Sequence, residues 1–255
     1  MKLGAQLYTV RAFTKDLDSF SQTLARVAEM GYTSVQISGT CEFDPAWLAA
    51  ELKKNGLVCP LTHTSPTRIL ENTEEVCRDH LTFGATTVGL GSMPDFKNLD
   101  DGVYERFVES FLPAAKAIKE NGCKFAYHHH NNEFARSGNG QTYMERILAD
   151  FPADLLDIIC DTYWLQAAGT DTALYMRNFA GRAKCVHLKD MTVVIPREQH
   201  YAPIGSGNMN FDAILSVAED IGTEYLLVEQ DDCYGEDPFV CLQKSYDYLK
   251  AKGLA

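Results

Sequence analysis

Residues 123–134 read CKFAYHHHNNEF. A short apolar run closes on three histidines, two asparagines and a glutamate. Successive side chains of an extended chain point to opposite faces. His128 and His130 therefore share one face, and His129 takes the other, toward helices or solvent. A strand that ends this way has stopped packing and begun to offer ligands. What it says about the fold depends on how the other strands end.

Seven more apolar runs follow the same plan: KLGAQLY (2–8), TSVQISG (33–39), LVCPLTHT (57–64), TTVGLG (86–91), LLDIICD (155–161), AKCVHLKD (183–190) and EYLLVEQD (224–231). Helical patterns lie between them. Phe20, Leu24, Val27 and Ala28 mark one apolar face over 18–30, and Phe107, Phe111, Ala114, Ala115 and Ile118 another over 103–121. Residues 211–221 and 238–251 repeat the pattern, and Gly31, Gly122 and Gly222 stop three of these helices. Strand–helix alternation implies parallel strands joined by crossovers. Eight units of about 30 residues predict an α/β fold, a single (β/α)8 TIM barrel over residues 1–255. The competitor is a doubly wound open sheet, but no G-x-G-x-x-G follows the first strand. Residues 191–210, MTVVIPREQHYAPIGSGNMN, are the longest irregular stretch and read as a functional loop.

Composition narrows the function. A net charge of −12 disfavours nucleic acid and anionic membrane surfaces as partners. No apolar run reaches the roughly 20 residues of a membrane span, and the opening MKLGAQLYTV is too mixed for a signal peptide. The eight cysteines contain no C-x-x-C pair and several sit in apolar runs. They read as core residues of a reduced, cytoplasmic protein. A homo-oligomer is compatible with the sequence.

The C-terminal ends of barrel strands converge on one face, where catalytic groups gather. Gln6 and Tyr8 end the first run, His63 the third, His128, His130 and Glu133 the fifth. Asp161 ends the sixth, His187 and Lys189 the seventh, and Glu229 the eighth, followed by Gln230, Asp231 and Asp232. Taken singly, an Asp after a strand caps a helix and a His packs in a core; Asp190 and Asp232 read as loop or cap residues. Taken together, acidic and imidazole groups at successive strand ends crowd charge at one rim, which costs free energy unless a cation or substrate compensates. Oxygen ligands with one imidazole suit one divalent metal ion such as Mn²⁺, Mg²⁺ or Co²⁺, and Zn²⁺ stays open.

LGAQLYTVR, YHHHNNEF, CDTYW, VHLKD, IGSGNMNF and LLVEQDD, in that order, resemble the strand ends of the sugar phosphate isomerase/epimerase family of xylose-isomerase-like TIM barrels. That group includes inosose dehydratases, ketose 3-epimerases and AP-endonuclease family 2 type enzymes. The resemblance spans nearly the whole chain. It implies a metal held by Glu133, Asp161, His187 and Glu229. The family's first glutamate closes its strand, whereas here that place, directly after Tyr127, is His128. Either Glu133 curls back to the metal or a histidine replaces it.

The expected chemistry acts on a small-molecule sugar or keto-sugar. A metal chelating the carbonyl and its neighbouring hydroxyl would favour loss of a carbon-bound proton as an enediolate. Glu229, His128 and His130 are the candidate bases, with Glu229 leading. Lys189 could stabilise the enediolate or grip a phosphate. Gln6, Tyr8, His63 and Trp164 are candidate substrate contacts. Reprotonation gives an isomerase or epimerase; expulsion of a β-substituent from a 3-keto sugar, keto-glycoside or inosose gives a lyase or dehydratase. Two other readings stand beside these: cleavage of abasic DNA, disfavoured by seven histidines and an acidic balance, and a non-catalytic sugar-binding barrel.

Overall fold

The structure, a computed structural model, describes residues 1–254. The eight expected runs form parallel strands. They are β1 (Lys2–Gln6), β2 (Ser34–Gln36), β3 (Leu61–His63), β4 (Thr87–Leu90), β5 (Lys124–His128), β6 (Leu156–Asp161), β7 (Cys185–Leu188) and, after a hairpin, β10 (Tyr225–Val228). Their spatial order is β2-β1-β10-β7-β6-β5-β4-β3. Parallel bridges Ser34–Val58 and Ile37–Thr62 join the two ends of this order into a barrel.

Helices cover the outside. They include Leu17–Glu29, Pro45–Asn55, Asp101–Glu120, Phe211–Asp220 and Pro238–Ala251. Each starts where a side chain accepts a backbone N–H of the first turn: Asp16, Asp44, Asp100, Asn210 and Asp237. The expected helices at 18–30, 103–121, 211–221 and 238–251 are therefore present within two residues.

One expectation fails. Residues 191–210 are not an irregular loop, because much of the stretch is an antiparallel hairpin, β8 (Asp190–Val194) and β9 (Glu198–Ala202). The chain then returns over the buried Asp190. That carboxylate accepts N–H from Gly205 and Gly207 at 2.9 Å and from Met209 at 3.3 Å. Gly207 has to be glycine, since a Cβ there would lie 2.4 Å from Asp190 Oδ1.

The barrel interior explains why the site lies where it does. Leu61, Ala126, Ile159, Cys185 and Leu227 form a small buried cluster separate from the main core between barrel and helices. A Cβ on Gly4 would meet Leu227, and one on Gly89 would meet Leu61 and Ile159, so both glycines face the same interior. With a side-chain period of two, the next inward residue on each of these strands lies one layer higher. Those residues are Gln6, His63, Gly91, His128, Asp161, His187 and Glu229. The lower layer packs, and the layer above it is polar.

Candidate active site

His128, Asp161, His187 and Glu229 are all buried, and one ligand-type atom from each lies within 4.8 Å of the others. Asp161 divides its labour. Its Oδ1 accepts the Trp164 N–H at 3.1 Å, starting the helix Thr162–Ala167, which leaves Oδ2 facing the barrel axis. There Oδ2 lies 3.1 Å from His128 Nε2, 3.7 Å from His187 Nδ1 and 3.2 Å from Lys189 Nζ. Glu229 Oε2 lies 3.0 Å from His187 Nδ1 and 2.8 Å from Lys189 Nζ. Its other oxygen accepts from the Gln6 amide at 2.7 Å, and Gln6 is turned that way because its Oε1 accepts the Tyr8 N–H at 2.6 Å.

The hydrogen bonds behind the rings decide what the rings offer. His128 Nδ1 lies 3.0 Å from the Gly91 carbonyl, which can only accept, so Nδ1 carries the proton. Its Nε2 makes the 3.1 Å contact with Asp161 Oδ2. His187 Nε2 sits 2.6 Å from Gln36 Oε1. Its Nδ1 makes no hydrogen bond, nor does the neighbouring Glu229 Oε2. Asp161 Oδ2 and Glu229 Oε2 meet the Lys189 ammonium at 3.2 and 2.8 Å, while His187 Nδ1 has no hydrogen-bond partner. An orphaned ring nitrogen beside a second imidazole and two carboxylate oxygens is a suitable donor set for a divalent ion.

Burial opposes ionisation of Asp161 and Glu229, yet the Lys189 ammonium and the His187 ring hold both carboxyls below their usual range. Burial likewise opposes the Lys189 cation, and Asp161, Glu229 and Asp231 keep it charged. Asp231 is pushed up, first by burial and then by Glu229.

Glu133 does not join the cluster. The chain curls back as a short turn, Asn132–Phe134, but on the outer side of β5. There the buried Glu133 carboxylate accepts from the Tyr127 hydroxyl and, at 2.8 Å, from the His130 N–H. Burial raises its pKa. The reason is register: Tyr127 alternates with His128 and points to the helices, so a glutamate bonded to it is drawn away from the axis. His128 stands where the expected ligand would be. His129 also faces outward and is fully buried rather than solvated; it contacts Phe134 and Phe179 and accepts the Asp161 N–H at 3.1 Å.

The remaining candidates lie around the cluster. The His63 ring centroid is 5.3 Å from His128 and 5.5 Å from His187. His130 stacks on Phe96 at 4.8 Å and lies 5.1 Å from Trp164. Burial, with His128 next, lowers the His130 pKa to about 2. Tyr8 is 37% exposed in the helical segment Leu7–Phe13 that follows β1. Lys189 is not a free cation, since Asp231 holds it as well, at 3.0 Å. Two participants escaped the sequence reading. Gln36 was not singled out within its strand run, although it lies two past the inward Ser34 as Gln6 lies two past Gly4. Asp231 was visible only as one of several acids after the last strand.

Residues 24–251 match the model of the xylose isomerase-like TIM barrel family, and the chain belongs to that family. It is similar to an inosose dehydratase of Clostridium perfringens, 24% identical over 60% of this chain and 56% of that protein. The chain thus spans little more than half the length of that relative. Among solved structures it resembles a sugar phosphate isomerase/epimerase from Parabacteroides distasonis, with TM-score 0.83 and 24% identity over 98% of this chain and 93% of the other. An L-ribulose 3-epimerase shares the fold at TM-score 0.75 and 14% identity, over 98% and 94%. No helix among the described residues is long and apolar enough to cross a membrane.

Proposed function

We propose that this chain is an enzyme that binds one divalent cation and removes a proton from the carbon beside the carbonyl of a sugar or keto-sugar, giving an isomerase or epimerase. One observation carries this reading. Among the described residues, the buried side-chain polar atoms without a hydrogen-bond partner belong to Gln36, His63, His130, Trp164, His187 and Gln230, and to Glu229, whose Oε2 is held only by the Lys189 ion pair. All of them sit at or just past the C-terminal ends of barrel strands. Native proteins rarely leave such atoms unpaired, and here donors and acceptors converge on one mouth. A polyhydroxylated ligand supplies both kinds of partner.

His128, Asp161, His187 and Glu229 would hold the cation, whose chemistry when bound is to polarise a carbonyl and acidify the adjacent C–H. Glu229 is the candidate base. Gln6 and the buried β10 backbone fix its direction, and the Lys189 ammonium and the His187 ring favour its ionised form against burial. Trp164 and His130 form one wall, and the unpartnered Trp164 Nε1–H is free to donate to a hydroxyl. Lys189 offers its charge to developing negative oxygen.

A second reading, a lyase or dehydratase on a 3-keto sugar, keto-glycoside or inosose, has its own support. The first ligand position is His128 rather than a carboxylate. Proton transfer on two opposite faces needs two bases, and elimination needs only one. The inosose dehydratase relative agrees with this second outcome. Incubating the metal-loaded protein with ketoses, 3-keto sugars and inososes, and identifying products by NMR, tests both. An isomer supports the first reading and a dehydrated or cleaved product the second. No product across the panel contradicts both.

A further inference from the structure

Resting on that metal-centre reading, we infer that Lys189 is an exchangeable internal cation. Its ammonium neutralises the ligand carboxylates when no divalent ion is bound and is handed to Asp231 when one binds.

The observation is a shared pair of oxygens. Asp161 Oδ2 and Glu229 Oε2 are the atoms that face His187 Nδ1, at 3.7 and 3.0 Å, and they also face Lys189 Nζ, at 3.2 and 2.8 Å. An ammonium and a divalent ion cannot both stay in contact with the same two oxygens in a buried site without strong mutual repulsion. Lys189 has somewhere to go. Asp231 contacts Nζ through both oxygens, at 3.0 and 3.1 Å, and lies nearer the rim, its side chain 22% exposed against 4% for Glu229. The backbone does not need to move. Thr162 Oγ1 accepts the Lys189 N–H at 2.9 Å and fixes the strand, and the flexible side chain carries the exchange. The Trp164 and Tyr201 rings lie 5.6 and 5.9 Å from Nζ, so an ammonium held by Asp231 alone would still rest against aromatic faces at the mouth. Three carboxylates around one lysine also leave an excess of negative charge. That excess is what draws in a second, stronger cation.

The test is a double-mutant cycle on Mn²⁺ affinity, measured by calorimetry on chelator-stripped full-length protein. Lys189→Met removes the competitor, and Mn²⁺ should bind at least about tenfold tighter, a change well above calorimetric error. Asp231→Asn removes the alternative partner and should weaken binding by about threefold or more. That penalty should shrink in the Lys189→Met background, because the coupling between the two sites passes through the ammonium. Circular dichroism checks folding. If Lys189→Met does not fold, Asp231→Asn alone still decides, and wild-type affinity in that variant overturns the inference. Unchanged or weaker binding in Lys189→Met, or an equal Asp231→Asn penalty in both backgrounds, also overturns it. Wild-type protein that binds no divalent ion at all would overturn the metal-centre reading together with it; the other failures leave that reading standing.

Discussion

His128 Nε2 lies 3.1 Å from Asp161 Oδ2, with the opposite ring nitrogen donating to the Gly91 carbonyl. This pairing places an imidazole where the family resemblance leads one to expect a glutamate. Gly91 makes the arrangement sterically feasible. A Cβ there would lie 3.1 Å from the His63 ring, so the glycine lets two imidazoles and a carbonyl meet at one corner of the mouth.

The first prediction concerns that corner. Glu133→Gln should leave metal stoichiometry unchanged, whereas His128→Ala should reduce it sharply. Glu133→Ala should instead cost about 1–3 kcal/mol of stability, because it strands the Tyr127 hydroxyl and the His130 N–H in a buried site. Metal analysis and urea unfolding of the three variants check this. Metal loss in Glu133→Gln with retention in His128→Ala would reverse the assignment.

Asp161→Asn and His187→Ala should each lower bound metal from one equivalent toward none while the fold persists. The asparagine can still cap the helix at Trp164, at a cost within about 1 kcal/mol. Full stoichiometry in both variants would remove these residues from the site.

Glu229→Gln should reduce turnover by at least about a hundredfold, the scale for losing a general base. Substrate should still bind, and solvent deuterium exchange into the substrate should stop. Exchange at the wild-type rate would move the base elsewhere, with His130 the next candidate.

A pH prediction comes from outside the site. His80 donates from Nδ1 to Val76 O at 2.6 Å, and its Nε2 lies 2.8 Å from the Thr62 hydroxyl. Burial lowers its pKa to about 4. The unfolded state, titrating near 6.5, therefore binds more protons between these values. The contribution is present in full above about pH 6.5 and declines as pH falls toward 4, by about 1.4 kcal/mol per unit. Chemical denaturation of wild type and His80→Gln across pH 4–7 should show the difference between them shrinking as pH drops. A pH-independent difference would contradict it.

Much of this architecture was legible in the sequence. Each strand lies in a short apolar run, and on β3, β5, β6, β7 and β10 the residue two past the last inward apolar position is polar, so the barrel and most of its rim can be read by alternation. Asp161, His187, Glu229, Gln6 and Lys189 come together as that pattern implies. Glu133 misled because a carboxylate near a strand end looks like a ligand, while the partner that captures it, Tyr127, faces the other way. The β8–β9 hairpin escaped because its strands pair only with each other, outside the strand–helix alternation, and Pro196 followed by Arg197, Glu198 and Gln199 reads as loop. Gln36 escaped because its strand run carries no inward apolar residue to set the alternation, and Asp231 because an acid after a strand resembles a turn residue until the register of neighbouring strands is known.

The most direct test of the central claim is an anomalous-scattering map from crystals grown with Mn²⁺. A single strong peak is expected at the barrel mouth in contact with His128, Asp161, His187 and Glu229, with Glu133 still bonded to Tyr127. A peak coordinated by Glu133 with His128 turned away, or no peak at the mouth at saturating Mn²⁺, would contradict it.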